Sequence, residues 1–426
     1  MPLFRRLARS SAEPARARSA RPRPTPIPRD IKVLVAAAFV IALGYGLVAP
    51  VLPQFAASFD VGVAAASIIV SVFAFTRLIF APAGGALVGR WGERRVYLTG
   101  LLIVAASTGA CALAQGYWQL LLFRGLGGVG STMFTVSATA LILRLAPPDS
   151  RGRVSGLYAA TFLMGGILGP VVGGLLAGLG LRVPFVVYAV ALLVAAAVVA
   201  LMLKKPDRSS TDGTDSPIQP MPLSEAMKDP GYRAAIASAF ANGWATFGVR
   251  MSLIPLFAGA VLGAGPETAG LALAVFAVGN ALALTFSGKL SDTLGRRPMV
   301  ISGLAVAGLA IAAIGFTDSV PVFVAVSVIA GFGSGLLGPA QQAAVADIIG
   351  NQRSGGKVLA VFQMSTDAGA IVGPVLAGAL ADRLDYGWAF AVTGCVTILA
   401  ALFWLFFGRE TLAVQQSEPS ADGSRS

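Results

Sequence analysis

The sequence predicts an all-α membrane protein in which twelve transmembrane helices form two six-helix pseudo-repeats around a central cavity. Three observations carry that prediction. The chain has 426 residues with only 12% charged side chains and a mean hydropathy of +0.77, which is far too apolar for a protein surrounded by water. Twelve apolar segments follow one another, each near the ~20 residues that cross a ~30 Å hydrocarbon core. Finally, Gly85, Gly92 and Arg94 lie 203 residues before Gly288, Gly295 and Arg297, and Gly152 and Arg153 lie 204 before Gly356 and Lys357. Parallel halves of this kind suit a transporter whose site lies between them.

Residues 1–30 hold eight Arg among Pro, Ala and Ser with no apolar run, and read as a disordered basic tail rather than a secretory signal. The first six-helix half, 31–203, contains apolar segments at about 32–55, 62–88, 95–115, 118–144, 152–178 and 183–203. Residues 204–231 are rich in Pro, Ser and Asp and form the linker. The second half, 232–409, repeats the pattern at about 233–259, 267–288, 298–317, 321–349, 357–381 and 387–408, and residues 410–426 form a second disordered tail.

Of the 32 Lys and Arg residues, Arg77, Arg124 and Arg250 fall within segments and Arg182 and Arg383 fall on the side away from the N-terminus, so the remaining 27 share the N-terminal side. The positive-inside rule then places both termini in the cytoplasm of a multi-pass protein of the plasma (inner) membrane. The net charge of +12 is thus a topology signal and not a nucleic-acid footprint. Histidine is absent, and the two cysteines, Cys111 and Cys395, sit in apolar runs. No metal site, disulfide framework or cofactor is expected, and any proton carried must ride on a carboxylate. No Gly-x-x-x-x-Gly-Lys-Ser/Thr loop occurs, which disfavours ATP as the drive.

The fifth segment departs furthest from ordinary helix composition. Gly165, Gly169 and Gly173 recur every four residues on one face, where they would admit a neighbouring backbone, and Pro170 removes a helix hydrogen bond and bends the chain. Gly156, eight residues, Gly165, three residues, Gly169-Pro170, two residues, Gly173-Gly174 resembles the helix-5 signature of the drug:proton antiporters of the major facilitator superfamily. A weaker echo follows 204 residues later at Gly369, Gly373, Pro374, Ala377 and Gly378, with Ala360 in the first position.

Two loops, GALVGRWGERR from Gly85 to Arg95 and GKLSDTLGRR from Gly288 to Arg297, resemble that superfamily's cytoplasmic Gly-x-x-x-Asp-Arg-x-Gly-Arg-Arg loop. The resemblance implies a cytoplasmic gate built from Gly85, Arg90, Gly92, Arg94, Arg95, Gly288, Asp292, Gly295, Arg296 and Arg297, with Arg forks bonding helix-end carbonyls and carboxylates across the halves. Gly89 stands where the family has Asp, so the acid falls to Asp292 or to another partner of Arg90. The first segment ends Gly44-Tyr45-Gly46 followed by Pro50 and Pro53, similar to the family's Pro-x-x-Pro ending. Arg124, in FRGLGGVGS, resembles the superfamily's Arg-x-x-x-Gly motif, whose Arg is linked to proton coupling.

Asp367 is the acid that sits well inside a segment; the other acids fall in tails, loops or helix ends. A carboxylate there must be neutral, paired or water-exposed, so Asp367 is the expected proton site, with Arg77 and Arg124 as its cationic partners; a permanent Asp–Arg pair is the structural alternative. Tyr45, Asn242, Trp244, Arg250, Asn280 and Gln363 are the candidate substrate contacts, and Phe240, Trp244 and Phe247 fall on one helical face. Three membrane arginines against one acid favour neutral or anionic substrates over organic cations. The resemblance implies a proton-coupled exporter of small amphipathic molecules working by alternating access, a monomer in the bilayer and not an enzyme. A proton symporter or a sugar or metabolite exporter shares the fold; a membrane sensor would want an added domain, and a lipid-handling enzyme a cluster of His or carboxylates.

Overall fold

The computed structural model describes residues 28–145, 151–203, 221–350, 353 and 355–412. Most of the expected tails and of the linker, and the loop before the fifth segment, lie outside the described residues. Those described form helices and turns with no strand among them.

The first half comprises α1 (Arg29–Val48), the short α2 (Leu52–Ala57), α3 (Val63–Trp91), α4 (Glu93–Ala112), α5 (Tyr117–Leu145), α6 (Arg151–Ala177) and α7 (Val183–Met202). Then come α8 (Leu223–Ala226), α9 (Pro230–Asn242), a π-helical stretch Gly243–Val249, α10 (Arg250–Ala260), α11 (Pro266–Leu294), α12 (Arg296–Ile314), α13 (Val320–Ile349), α14 (Gly356–Arg383) and α15 (Tyr386–Phe407). Eleven of these helices are long and apolar enough to cross a membrane. The twelfth crossing, expected at 233–259, is composite: α9, the π stretch and α10 together run from Pro230 to Ala260.

Local chemistry explains the breaks. Pro50 cannot donate to the helix ladder, and α1 stops at Val48 before the chain resumes as α2 with Pro53 in its first turn. Gly92 (φ 81°) and Gly295 (φ 103°) end α3 and α11 in a left-handed turn that L side chains avoid. Each chain reversal therefore takes a single residue before α4 or α12 begins.

The apolar core is divided. One cluster draws on residues from Ile31 to Leu203 with Leu256 added, and two others draw on residues from Met221 onward. Leu175, Leu179, Leu201 and Phe406 are 65–86% exposed, a surface that suits lipid and not water.

Candidate functional site

The glycines of α6 make the seam. A Cβ on Gly165 would lie 2.5 Å from the Ala42 carbonyl carbon, and one on Gly169 would lie 2.6 Å from the Gly46 Cα, so α6 lies against the backbone of α1. Its neighbouring face meets the other half: a Cβ on Gly174 would come within 2.9 Å of Pro266 O on α11. Gly156 lies on the α6 backbone, its surroundings outside the described side chains. The echo on α14 repeats this arrangement. A Cβ on Gly373 would meet Trp244 O at 2.9 Å, and one on Gly378 would meet the Ala64 Cα of α3 at 2.8 Å. Helices α6 and α14 thus each bridge a first helix of their own half to a second helix of the other.

The halves touch on the side away from the termini. Gln54 Nε2 donates to Pro255 O at 3.0 Å and Ser71 Oγ to Ile371 O at 2.8 Å. Asp382, at the end of α14, accepts from the backbone N–H groups of Val63 (2.7 Å) and Ala64 (2.8 Å), the first turn of α3. On the termini side a cavity of about 960 Å³ opens between the halves, lined by Thr135, Thr139, Gln342, Leu359, Phe362 and Gln363 among others.

Gln363 links that cavity to the membrane acid, donating to Asp367 Oδ1 at 3.2 Å. Asp367 is half-buried and lies close enough to Arg77 of α3 to interact electrostatically. Among the described residues no cation reaches it within ion-pair distance of 4.0 Å. The permanent Asp–Arg pair weighed from the sequence is therefore not formed in this conformation, and neither Arg124 nor Arg77 holds Asp367 in a contact pair.

Arg124 instead stacks over the Phe73 ring, 4.1 Å from its centroid, and its Nε is buried without a hydrogen-bond partner. Arg250 stacks over Phe276 at 4.0 Å, with its Nε donating to Thr246 O at 3.1 Å. Tyr45, 38% exposed, sits with its ring 6.2 Å from Phe73. Tyr45, Phe73 and Arg124 thus form one group in the first half, and Arg250 and Phe276 another in the second. Asn242 and Asn280 are half-buried on α9 and α11.

Trp244 takes a different place. It is 6% exposed and donates from Nε1 to Thr393 Oγ1 at 3.2 Å, inside the second half's core. The expected single face of Phe240, Trp244 and Phe247 does not form: the first two rings pack at 5.9 Å, whereas Phe247 is 47% exposed. The cause is the π stretch, whose wider turn shifts every residue after Asn242 out of the α-helical register.

The expected gate residues bond within their own halves here. Arg94 donates from Nε to Leu203 O at 2.9 Å and from Nη2 to Ala200 O at 2.6 Å, closing the end of α7. Arg296 pairs with Asp292 and, at 3.1 Å, with Asp347, and Arg297 donates to Trp404 O and Leu405 O at the end of α15. Arg90 and Arg95 are exposed, and a Cβ on Gly85, Gly89 or Gly288 would meet open space. The bonds of Arg94, Arg296 and Arg297 each stay within one half.

Sequence reasoning missed Phe73 and Phe276, Asp382 and Glu410. Glu410 Oε1 and Oε2 accept from the N–H groups of Arg296 (2.8 Å) and Arg297 (3.1 Å) at the start of α12. A signal existed for Asp382, since an acid in the last turn of a helix opposes the dipole. The two phenylalanines stand 203 residues apart, the repeat offset already visible in the glycines.

The Major Facilitator Superfamily model matches residues 34–265 and 236–424. "Multidrug resistance protein 2" of Bacillus subtilis (strain 168) is 28% identical over 380 residues, covering 86% of this chain and 92% of its own. "Quinolone resistance protein NorA" of Staphylococcus aureus (strain MRSA252) is 25% identical over 358 residues, 83% of this chain and 90% of its own. Among solved structures, an inward-facing, unoccupied bacterial homolog of the human lysosomal transporter Spinster superposes with TM-score 0.74 at 19% identity, covering 88% of this chain and 94% of that one. A D-xylose-proton symporter superposes with TM-score 0.69 at 18% identity, covering 89% and 98%.

Proposed function

The chain belongs to the major facilitator superfamily and is a membrane transporter, not an enzyme; from that premise we propose that it exports small amphipathic molecules against proton entry by alternating access. The observation that carries the proposal is Asp367, a carboxylate about eleven residues or ~16 Å into α14. It is half-buried in the seam, near but not bonded to Arg77, and tied through Gln363 to the cavity. A carboxylate in that setting is either neutral or charged depending on whether a cation or water is close. Rocking of the halves changes that distance, so the same motion that turns the cavity outward loads and unloads a proton. The termini side is the cytoplasm by the distribution of Lys and Arg, the membrane is the plasma membrane, and the chain acts as a monomer. The two named efflux relatives support export and a small-molecule substrate. The membrane cations favour neutral or anionic substrates.

The test is reconstitution in proteoliposomes with an imposed proton gradient and a panel of amphipathic compounds. Wild type is expected to couple substrate flux to proton movement, and Asp367→Asn to lose gradient-driven accumulation while retaining downhill exchange. An unchanged response to the gradient in Asp367→Asn removes the proton site; substrate flux that ignores the gradient in wild type removes the coupling altogether.

A further inference from the structure

We propose that the far side of the seam holds a site for a neutral aromatic alcohol whose occupancy locks the two halves together on that side. The locking rests on the alternating-access reading above; the binding does not. A cavity of about 330 Å³ lies there, lined among others by Gln54, Ala57 and Val63 of the first half and by Pro255, Gly259 and Tyr386 of the second. That volume is at the lower end of the ~300–1,000 Å³ typical of small-molecule sites. It shares no lining residue with the larger cavity on the termini side.

The bonds that join the halves frame this cavity. Gln54 Nε2 donates to Pro255 O at 3.0 Å, and both residues belong to the wall. The N–H of Val63, also in the wall, donates to Asp382 Oδ1 at 2.7 Å. Tyr386 packs against apolar clusters of both halves, and its ring meets that of Phe257 edge-on at 5.8 Å. Because each half supplies part of the wall, the cavity is one site only while the halves stay together there. A ligand held in it binds the far-side-closed state and not the open one, and so shifts the equilibrium between them by mass action.

The lining sets the class of ligand. No charged side chain belongs to it, so a charged head group would leave water without gaining a counter-ion. Leu256, Pro266 and the Tyr386 ring offer apolar faces to a planar body. Two polar groups are spare. The bond from Gln54 uses Nε2 and leaves Oε1 without a partner, and among the described residues the Tyr386 hydroxyl has none either. An amide oxygen only accepts, whereas a phenolic hydroxyl both donates and accepts, so a single hydroxyl on the ligand suits both. Entry is open: Gly259 and Ala260 are exposed, and a Cβ on Gly259 would meet no neighbouring atom.

The test uses the purified full-length protein in nanodiscs, with empty nanodiscs subtracted, and three probes: β-naphthol, β-naphthyl methyl ether and β-naphthylmethylammonium. The alcohol is expected to bind about five- to tenfold tighter than the ether, which has no hydrogen to donate to Gln54, and tighter than the ammonium. Gly259→Phe, which fills the space from the second half, should weaken binding of the alcohol at least about tenfold. Ala57→Phe fills it from the first half and takes its place if Gly259→Phe does not fold. Spin labels at Leu113 and Phe316, just past the ends of α4 and α12 on the far side, read the closure. At ten times its Kd, β-naphthol should raise the ratio of far-side-closed to far-side-open molecules about elevenfold. Equal binding of the three probes, tighter binding of the ammonium, or binding untouched by both plugging variants overturns the site. Bound β-naphthol that leaves the distances unchanged, or lengthens them, overturns the lock. Coupled flux that persists undiminished at ten times the Kd keeps the export reading and removes the lock; absence of coupled flux for every compound removes the export reading, while probe binding and the label distances are still read independently.

Discussion

At the scale of single residues, charge was the most legible feature and partnership the least. Asp367, Arg77, Arg124 and Arg250 stand out in the sequence because charged side chains inside apolar segments are costly and therefore placed for a reason. Which acid meets which cation depends on helix rotation and on contacts between distant segments, and no spacing rule supplies those. Glu410 illustrates the gap: from sequence it belongs to a polar tail, whereas in the fold it caps α12. Partial burial pushes its carboxyl up, but the N–H groups of Leu412, Arg296, Arg297 and Thr411 outweigh that effect and hold it below its ordinary 4.5. Because the folded value is depressed, the stabilisation is fully present above pH 4.5 and is lost as pH falls through the lower folded value. Thermal unfolding of Glu410→Gln in detergent should therefore show a lower Tm than wild type at pH 7, and the difference should shrink as pH falls below about 4.5. A gap that widens on acidification would count against the cap.

At the scale of elements, the glycine face of α6 could be read because its period is local, whereas the π stretch could not. Gly165, Gly169 and Gly173 repeat every four residues, and the structure puts another helix's backbone against each of them. The π stretch leaves no such period: its Gly243 and Gly248 lie where an added Cβ would meet Thr366 O and Pro374 Cδ of α14, tertiary contacts with no sequence signature of their own. The same contacts set an expected outcome for α6. Gly169→Leu inserts a side chain where a single Cβ already falls 2.6 Å from Gly46, and overpacking of this kind costs about 1–3 kcal/mol or more. Transport normalised to membrane abundance should fall at least about tenfold, with Gly169→Ala intermediate and insertion retained in both, since neither change lowers hydrophobicity. Wild-type flux through Gly169→Leu would show that α6 and α1 are free to separate there.

At the scale of the whole molecule, the fold class and its two-fold repeat were in the hydropathy and the 203-residue offset, but the conformational state was not. Spans can be counted from composition; which side of the seam is open depends on a balance between contacts made in one state and lost in the other. The observed balance has one charged member on its closed side. The N-cap residue of α3 is Gly62, which has no side chain to offer its first-turn N–H groups, and Asp382 from the opposite half supplies the missing acceptor to Val63 and Ala64. On the proposed alternating-access reading, that bond exists only while the far side is shut. Opening it returns the N–H groups to water and leaves Asp382 against the unfavourable dipole end of its own α14. Loss of a helix cap costs about 0.5–2 kcal/mol, so Asp382→Ala should shift the equilibrium toward the far-side-open state by roughly 2- to 30-fold. Spin labels at Val61 and Val261, both on the far side, would read this as a growing population of longer distances, while labels across the cavity on the termini side move closer. If the distance distributions of Asp382→Ala and wild type coincide, the cap carries no part of the closure, and the apolar packing of α6 on α11 and α3 on α14 holds the far side shut alone.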